Sequence, residues 1–138
     1  MQTKIFETME DEDKNSGKDT SCKLATAEEW KPISLNELYE QILKTETDLR
    51  GELWNFWELI KINPTKWTEK EFGNKGCGFW VVAICGTKVI WYNDIEEGFN
   101  ISDYETYGQI EGYYCNQDEL HWAITKLFDL IKFGENIN

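Results

Sequence analysis

The most constraining feature of this sequence is an apolar run that a two-residue turn connects to a second apolar run. Every residue of the first run, residues 79–85, is apolar. A short run without polar positions is typical of a central strand that is covered on both faces. Gly86 and Thr87 follow, and glycine at the first position of a two-residue loop favours a type II′ turn. The pattern therefore predicts a β-hairpin that returns through residues 88–92.

An N-terminal helix is predicted just after Pro32. Ser34 and Glu37 have the spacing of a capping box, in which each side chain accepts a hydrogen bond from the backbone of the other residue. Apolar residues then recur with a helical period, at Leu35, Leu38 and Ile42, with Tyr39 and Leu43 beside them.

A C-terminal helix is predicted to begin at Asn116, because Glu119 follows three residues later, and to end at Gly134. Its apolar residues recur at i, i+3, i+4 and i+7, which is typical of a helix packed on a core. They are Leu120, Ala123, Ile124, Leu127, Leu130 and Ile131.

The segment between the first helix and the hairpin is ambiguous. Residues 49–62 fit either a helical face or a strand before Asn63 and Pro64, and we place a strand near residues 56–62. Residues 93–103 are interpreted as a polar connection, and residues 109–114 as one more strand. The predicted fold is α+β: an antiparallel meander of about four strands flanked by an N-terminal and a C-terminal helix. Residues 31–138 form this single domain, and residues 1–30 are predicted to be an acidic mobile or loosely docked tail.

Charge is concentrated in one part of the chain. Between Val89 and Thr125 there is no lysine or arginine, but there are eight carboxylates and five of the six tyrosines, in a protein of net charge −12. Tyrosine is enriched at protein interfaces, and a field of one sign steers a partner of the opposite sign. The predicted surface for a basic partner consists of Asp94, Glu96, Glu97, Asp103, Tyr104, Glu105, Tyr107 and Glu111. We expect Tyr104 or Tyr107 to be exposed, whereas Trp80, Trp91 and Trp122 are expected in the core.

Several partner classes are disfavoured. A sequence pI near 4.5 argues against nucleic-acid binding, which depends on neutralising phosphates. Neither a P-loop nor a complete G-x-G-x-x-G motif occurs. No apolar run reaches the roughly 18 residues of a membrane span, and the first residues do not resemble a secretory signal. We therefore expect a cytoplasmic protein that needs no membrane and no nucleotide cofactor.

Metal and thiol chemistry are also disfavoured. The four cysteines, Cys22, Cys77, Cys85 and Cys115, include no C-x-x-C pair, and His121 is the only histidine. We expect buried or incidental thiols, with a disulfide or a metal as alternatives. Cys115 and His121 stand six residues apart across a helix start, which does not place them on one face for nucleophilic catalysis.

The carboxylates leave two other possibilities open. A pair of acids can hydrolyse a glycoside when the groups stand roughly 5 to 10 Å apart. Asp94, Glu96 and Glu97 could ligate calcium, but the segment around them lacks the order of acids in a calcium loop. A plain solvated turn is the third reading, so we predict no metal and no cofactor.

The hairpin and the turn after it, residues 78–84 and 89–100, resemble small bacterial immunity proteins of contact-dependent or polymorphic toxin systems. The resemblance covers about residues 57–131, and the element order is similar to that of SUKH-type immunity proteins, which are α+β with a central sheet. It implies a protein that is not an enzyme; separately, we expect a monomer or weak dimer. Such a protein binds a basic toxin, often a nuclease, and neutralises it sterically.

Two alternatives to an immunity protein remain at this point. The first is an acidic protein that mimics nucleic acid and inhibits a DNA- or RNA-binding protein. The second, from a different class, is a small carboxylate-dependent hydrolase.

Overall fold

The computed structural model describes residues 31–72 and 77–134; the predicted tail of residues 1–30 lies outside them. Within these ranges the fold has three helices and five strands, so the α+β class is confirmed. In chain order they are α1 (Leu35–Asp48), α2 (Gly51–Ile60), β1 (Lys61–Glu69), β2 (Phe79–Cys85), β3 (Lys88–Asn93), β4 (Gly98–Asp103), β5 (Gln109–Ile110) and α3 (Leu120–Phe133).

The first four strands form the predicted antiparallel meander, and the sheet order is β4-β3-β2-β1-β5. Cys85 pairs with Lys88 across the two-residue turn, and Gly86 has φ +62°, as a type II′ turn requires at its first position. The fifth strand was not expected in this place, because β5 pairs with β1 in parallel.

The sheet is curled, and its two edges meet near the end of β5. Ile110 pairs with Glu69 of β1, whereas the next residue, Glu111, donates its backbone N–H to the carbonyl of Asp103 in β4. Because β1 and β4 lie at opposite sides of the sheet, one short stretch of chain can reach both only if the sheet bends round.

The curled sheet separates two apolar cores. The helix-side core contains Val82 and Ile90 together with buried residues of all three helices, such as Leu38 and Ile124. The opposite face carries an aromatic core built from Trp67, Phe79, Val81, Val89, Trp91 and Ile110. The prediction that residues 79–85 form a strand with apolar contacts on both faces is therefore confirmed.

The helix ends show where capping was and was not predictable. The capping box at Ser34 and Glu37 is present, and Gly134 ends α3 with φ +89°. The predicted start of α3 is wrong, because the helix begins at Leu120 with Glu119 as its N-cap. Asn116 cannot open it, since its backbone N–H and carbonyl are both bonded to the side chain of Asn100.

Three predicted chain segments also need correction. The strand placed near residues 56–62 is wrong, because α2 continues to Ile60 and buries Phe56 and Trp57 at helical spacing. The predicted polar connection contains β4. In this strand Phe99 is buried in the helix-side core, and Ser102 is buried on the opposite face, beside Trp91. The strand at residues 109–114 is only two residues long.

Residues 111–118, here called the return segment, run beside the free edge of β4. Ser102 donates its hydroxyl to the carbonyl of Gly112 (2.6 Å), and the backbone of Phe99 donates to Asp118 (2.8 Å). The Asn93 side chain donates to the carbonyl of Tyr114 (2.9 Å). Side chains therefore replace a regular ladder here, which explains why a strand pattern was misleading.

The cysteine prediction is wrong at one position. Cys77 is disulfide-bonded, whereas Cys85 and Cys115 are free thiols. Spacing along a sequence does not show which cysteines approach in space, and that approach decides whether a bridge can form. None of the helices in the described ranges is long and apolar enough to cross a bilayer.

Candidate partner-binding surface

The structure divides the eight predicted site residues into two groups at opposite ends of β4. Asp94, Glu96 and Glu97 lie in the turn between β3 and β4, here called the acidic turn. The second group lies in and beside the loop that follows β4, here called the tyrosine loop, and consists of Asp103, Tyr104, Glu105, Tyr107 and Glu111. β4 has six residues, so its ends are about 17 Å apart. The predicted residues do not form one compact patch.

The acidic turn is held in a fixed shape by Asn93. The buried Asn93 side chain accepts hydrogen bonds from the backbone of Ile95 (3.0 Å) and Glu96 (3.2 Å). Its own carbonyl accepts one from the N–H of Glu97 (2.7 Å). Glu97 is exposed and has φ +62°, an uncommon conformation for a residue other than glycine. The turn thus presents Glu97 to solvent in a defined position.

Asp94 is not a surface residue. It is only 8% exposed, and its carboxylate accepts a hydrogen bond from the backbone N–H of Ile33 (2.8 Å). This bond ties the acidic turn to the chain just before α1. Asp94 therefore serves the fold, and a partner has little access to it.

A cleft of about 760 Å³ lies between the acidic turn and α1. α1 contributes Glu37 and Glu40, and the sheet side contributes Tyr92, Asp94 and Glu97. Burial is the largest cause of a raised pKa at Tyr92; a hydrogen bond with Gln41 lowers it, and the charges of Glu97, Asp94 and Glu37 raise it further. Lys31 also lines the cleft. Sequence reasoning missed Glu37 and Glu40 because they lie more than fifty residues from the acidic turn.

The tyrosine loop is anchored to the turn between β2 and β3 and to β1. The backbone of Tyr104 donates to Thr87 (2.8 Å), and the carbonyl of Gly108 accepts from Thr68 (2.9 Å). Tyr104 and Tyr107 both pack against the Trp67 ring, and their ring centroids lie 5.1 and 4.8 Å from the centroid of that indole. Tyr107 is 65% exposed, so the expectation that one of these tyrosines faces solvent is confirmed.

Only part of the acidic window is neutralised. The two lysines that directly flank it each pair with one acid, Lys88 with Asp103 (2.7 Å) and Lys126 with Asp118 (2.6 Å). In the described ranges, no lysine or arginine forms an ion pair with the remaining glutamates of the window. These are Glu96, Glu97, Glu105, Glu111 and Glu119.

One aromatic expected in the core lies on the surface instead. Trp122 is 54% exposed, and it lines a shallow hollow with Asp48, Glu119 and His121. The helical period explains the error, since Trp122 lies on the face of α3 opposite the buried Leu120 and Ile124. Trp91 is buried as expected, and Trp80 is half-buried.

The structure offers little to the catalytic and metal readings. No hydrogen bond joins Cys115 to His121, and Cys115 is exposed. Across residues 31–72 and 77–134, no group of three or more histidines, cysteines, aspartates or glutamates is arranged to hold a metal ion.

Comparisons with protein-family models, with curated proteins and with solved structures found no match to this chain. The geometry of the acidic turn and the tyrosine loop is therefore the basis for any function assigned to it.

Proposed function

We propose that this protein is an immunity protein that binds a basic protein toxin, in particular a nuclease, and neutralises it sterically. The observation that carries this proposal is a window without lysine or arginine whose glutamates form no ion pair within the described residues. Like charges held together repel one another in the free protein, and a cationic partner relieves that repulsion.

The tyrosine loop is the better of the two regions for the centre of the interface. Tyr107 supplies an exposed aromatic ring supported from below by Trp67, and such rings are typical anchors of protein interfaces. Glu105 and Glu111 are exposed on either side of it in sequence and form no ion pair with any residue of 31–72 or 77–134. The acidic turn then acts as a second region that attracts the partner.

The remaining features of the proposal follow from a binding role. The protein acts as a monomer or weak dimer, without catalysis, cofactor, nucleic acid or membrane. A cytoplasmic location is part of the proposal, and the disulfide at Cys77 is the observation that weighs against it. Disulfides persist mainly in oxidising compartments.

The first test is co-expression with the product of the neighbouring gene, since an immunity protein of this kind is encoded beside its toxin. We expect the neighbour to be toxic alone and harmless with this protein. The association rate constant should fall steeply as added salt shortens the Debye length below about 8 Å.

Paired charge reversals then locate the interface. Glu105→Lys with Glu111→Lys should reduce the association rate more than Glu96→Lys with Glu97→Lys, and both should reduce it by about tenfold or more at low salt. The matched control is Glu52→Lys with Glu58→Lys, which makes the same change in net charge on α2.

Four outcomes would contradict the proposal. If the neighbour is harmless, or if all three double variants behave alike, the acidic window is not the binding surface. Tight binding to a DNA- or RNA-binding protein would instead identify a nucleic-acid mimic, and turnover of a glycoside would identify a hydrolase.

A further inference from the structure

A groove of about 670 Å³ lies between α3 and the outer edge of the sheet, and Asp103 of the tyrosine loop lies at one end of it. One wall is the second half of α3, and the other is formed by β4 with the return segment. The residues of β4 from Phe99 to Asp103 give it a length of about 13 Å. This volume falls within the range of about 300 to 1,000 Å³ that is usual for small-molecule sites.

The floor of the groove is apolar, and the rest of its lining includes five charged side chains, those of Lys88, Asp103, Asp118, Lys126 and Asp129. Phe99 and Ala123, each 1% exposed, and the partly buried Ile101 and Leu130 form its floor. Two aromatic rings stand at the rim, Tyr114 at 52% exposure and Phe133 at 56%. The small side chain of Ala123 leaves room where a larger residue of α3 would contact Phe99.

The cations that line the groove are already neutralised by other residues. Lys88 pairs with Asp103 at one end, and Lys126 pairs with Asp118 at the other. An anionic ligand would have to displace an aspartate from one of these pairs. The two lysines are thus not free to bind an anionic molecule, and the carboxylate of Asp129, which also lines the groove, would repel one.

The buried polar side chains of the groove are also occupied. The Asn100 amide bonds to the backbone of Asn116 in both directions (2.9 and 3.1 Å). The Ser102 hydroxyl donates to Gly112 (2.6 Å) and accepts from the Trp91 indole (2.8 Å). A ligand that needs several hydrogen bonds would find few partners in the groove. A ligand that binds by burying apolar surface does not need such partners.

We propose that the groove between α3 and β4 binds an uncharged aromatic small molecule. Its rings lie on Phe99, Ile101 and Leu130, and they contact the rings of Tyr114 and Phe133 at the rim. The site shares Asp103 with the partner surface proposed above, and its other contacts lie outside that surface.

The test uses 1-N-phenylnaphthylamine, an uncharged fluorescent probe, with the purified full-length protein. We expect saturable binding of one equivalent, with increased and blue-shifted emission, and competition by indole. Tyr114→Ala with Phe133→Ala should weaken binding by about tenfold, because two ring contacts are lost. The matched control is Trp122→Ala, which removes an exposed ring from α3 outside the groove and should leave binding unchanged.

A second variant tests occupancy of the groove itself. Leu130→Trp should fill it and abolish probe binding, while circular dichroism checks that the fold is kept. The proposal is overturned if the probe does not bind, if Trp122→Ala weakens binding as much as the rim variant, or if the anionic probe 8-anilino-1-naphthalenesulfonate binds more tightly. Displacement of the probe by a basic protein partner, without competition by indole, would assign the groove to that partner instead.

Discussion

Two glycines with nearly the same backbone conformation have different reasons to be glycine. Gly78 has φ +103° and Gly108 has φ +99°. A Cβ at Gly78 would overlap the backbone of Trp67, whereas a Cβ at Gly108 would point into open space. At Gly108 only the conformation matters, whereas at Gly78 two strands also have to approach closely.

This difference gives a prediction at the scale of single residues. Gly108→Ala should lower the free energy of unfolding by about 1 kcal/mol, the usual cost of a left-handed conformation. Gly78→Ala should cost about 3 kcal/mol or more, because β1 must also move away from β2. Urea denaturation measures both values. Equal costs would show that the contact with Trp67 is not limiting.

Residue chemistry alone could not reveal the role of Asp94. In the sequence Asp94 is one of eight acids in a window without lysine or arginine, and this composition predicts that it belongs to the partner surface. The structure buries it against the backbone N–H of Ile33, which is 61 residues earlier in the chain. Contacts over such a distance leave no local pattern in a sequence.

At the scale of elements, the return segment depends on one buried side chain. Asn100 is 1% exposed and satisfies both backbone groups of Asn116. Asn100→Ala should lower the free energy of unfolding by about 1 to 2 kcal/mol, because it removes both hydrogen bonds to the backbone of Asn116. Hydrogen exchange of residues 111–118 should accelerate more than that of β2 and β3.

The control for this change is Asn36→Ala, at an exposed position on α1. It should be nearly neutral, since alanine is the better helix former. If Asn100→Ala costs no more than the control, or if exchange accelerates evenly, Asn100 does not fix the return segment.

The elements that could be predicted are those whose signals are local. The hairpin at Gly86, the capping box at Ser34 and the end of α3 at Gly134 each depend on a few adjacent residues, and all three are present. β5 and the return segment depend on contacts with distant strands, so their form could not be predicted. For α2 the apolar spacing fitted two structures, and packing of Phe56 against Phe128 (5.2 Å) favours the helix.

The same limit applies to the candidate site. Composition located the acidic window, and an exposed tyrosine was correctly expected in the loop after β4. The window is divided into two regions because β4 lies between them. The polar composition of residues 93–103 does not predict this strand. The contribution of Glu37 and Glu40 to the cleft follows from the docking of α1 on the sheet.

For the whole molecule, stability should fall as the pH rises above about 10. Burial raises the pKa values of Tyr39, Tyr92 and Tyr113 from an ordinary value of 10.0. Above that pH the unfolded chain releases these protons before the folded protein does, so unfolding becomes more favourable. Burial lowers the pKa of Lys66 from its ordinary value of 10.5. Below pH 10.5 the unfolded chain therefore holds this proton more tightly, so this group makes the stability rise as the pH approaches 10.5.

Tyr92→Phe tests this explanation. The variant should show a smaller fall in Tm between about pH 10 and 11 than the parent protein, because one of the shifted groups is absent. Thermal denaturation followed by circular dichroism measures it, and Tyr107→Phe, at an exposed ring, is the control. A parallel fall in both variants would show that Tyr92 does not contribute.

The two cores on either side of the sheet have a consequence for how the strands are aligned. β2 is apolar on both faces, so sliding it by one residue would exchange Val81 and Val82 between cores without exposing any charge. In most strands the hydrophobic pattern sets the register, but in β2 both faces are apolar and the pattern does not distinguish one register from the next. The two-residue turn at Gly86 sets the alignment of β2 against β3, and the bond from the Trp91 indole to Ser102 favours a single alignment of β3 against β4. In this protein the length of one turn and one buried hydroxyl therefore set the register of β2, β3 and β4.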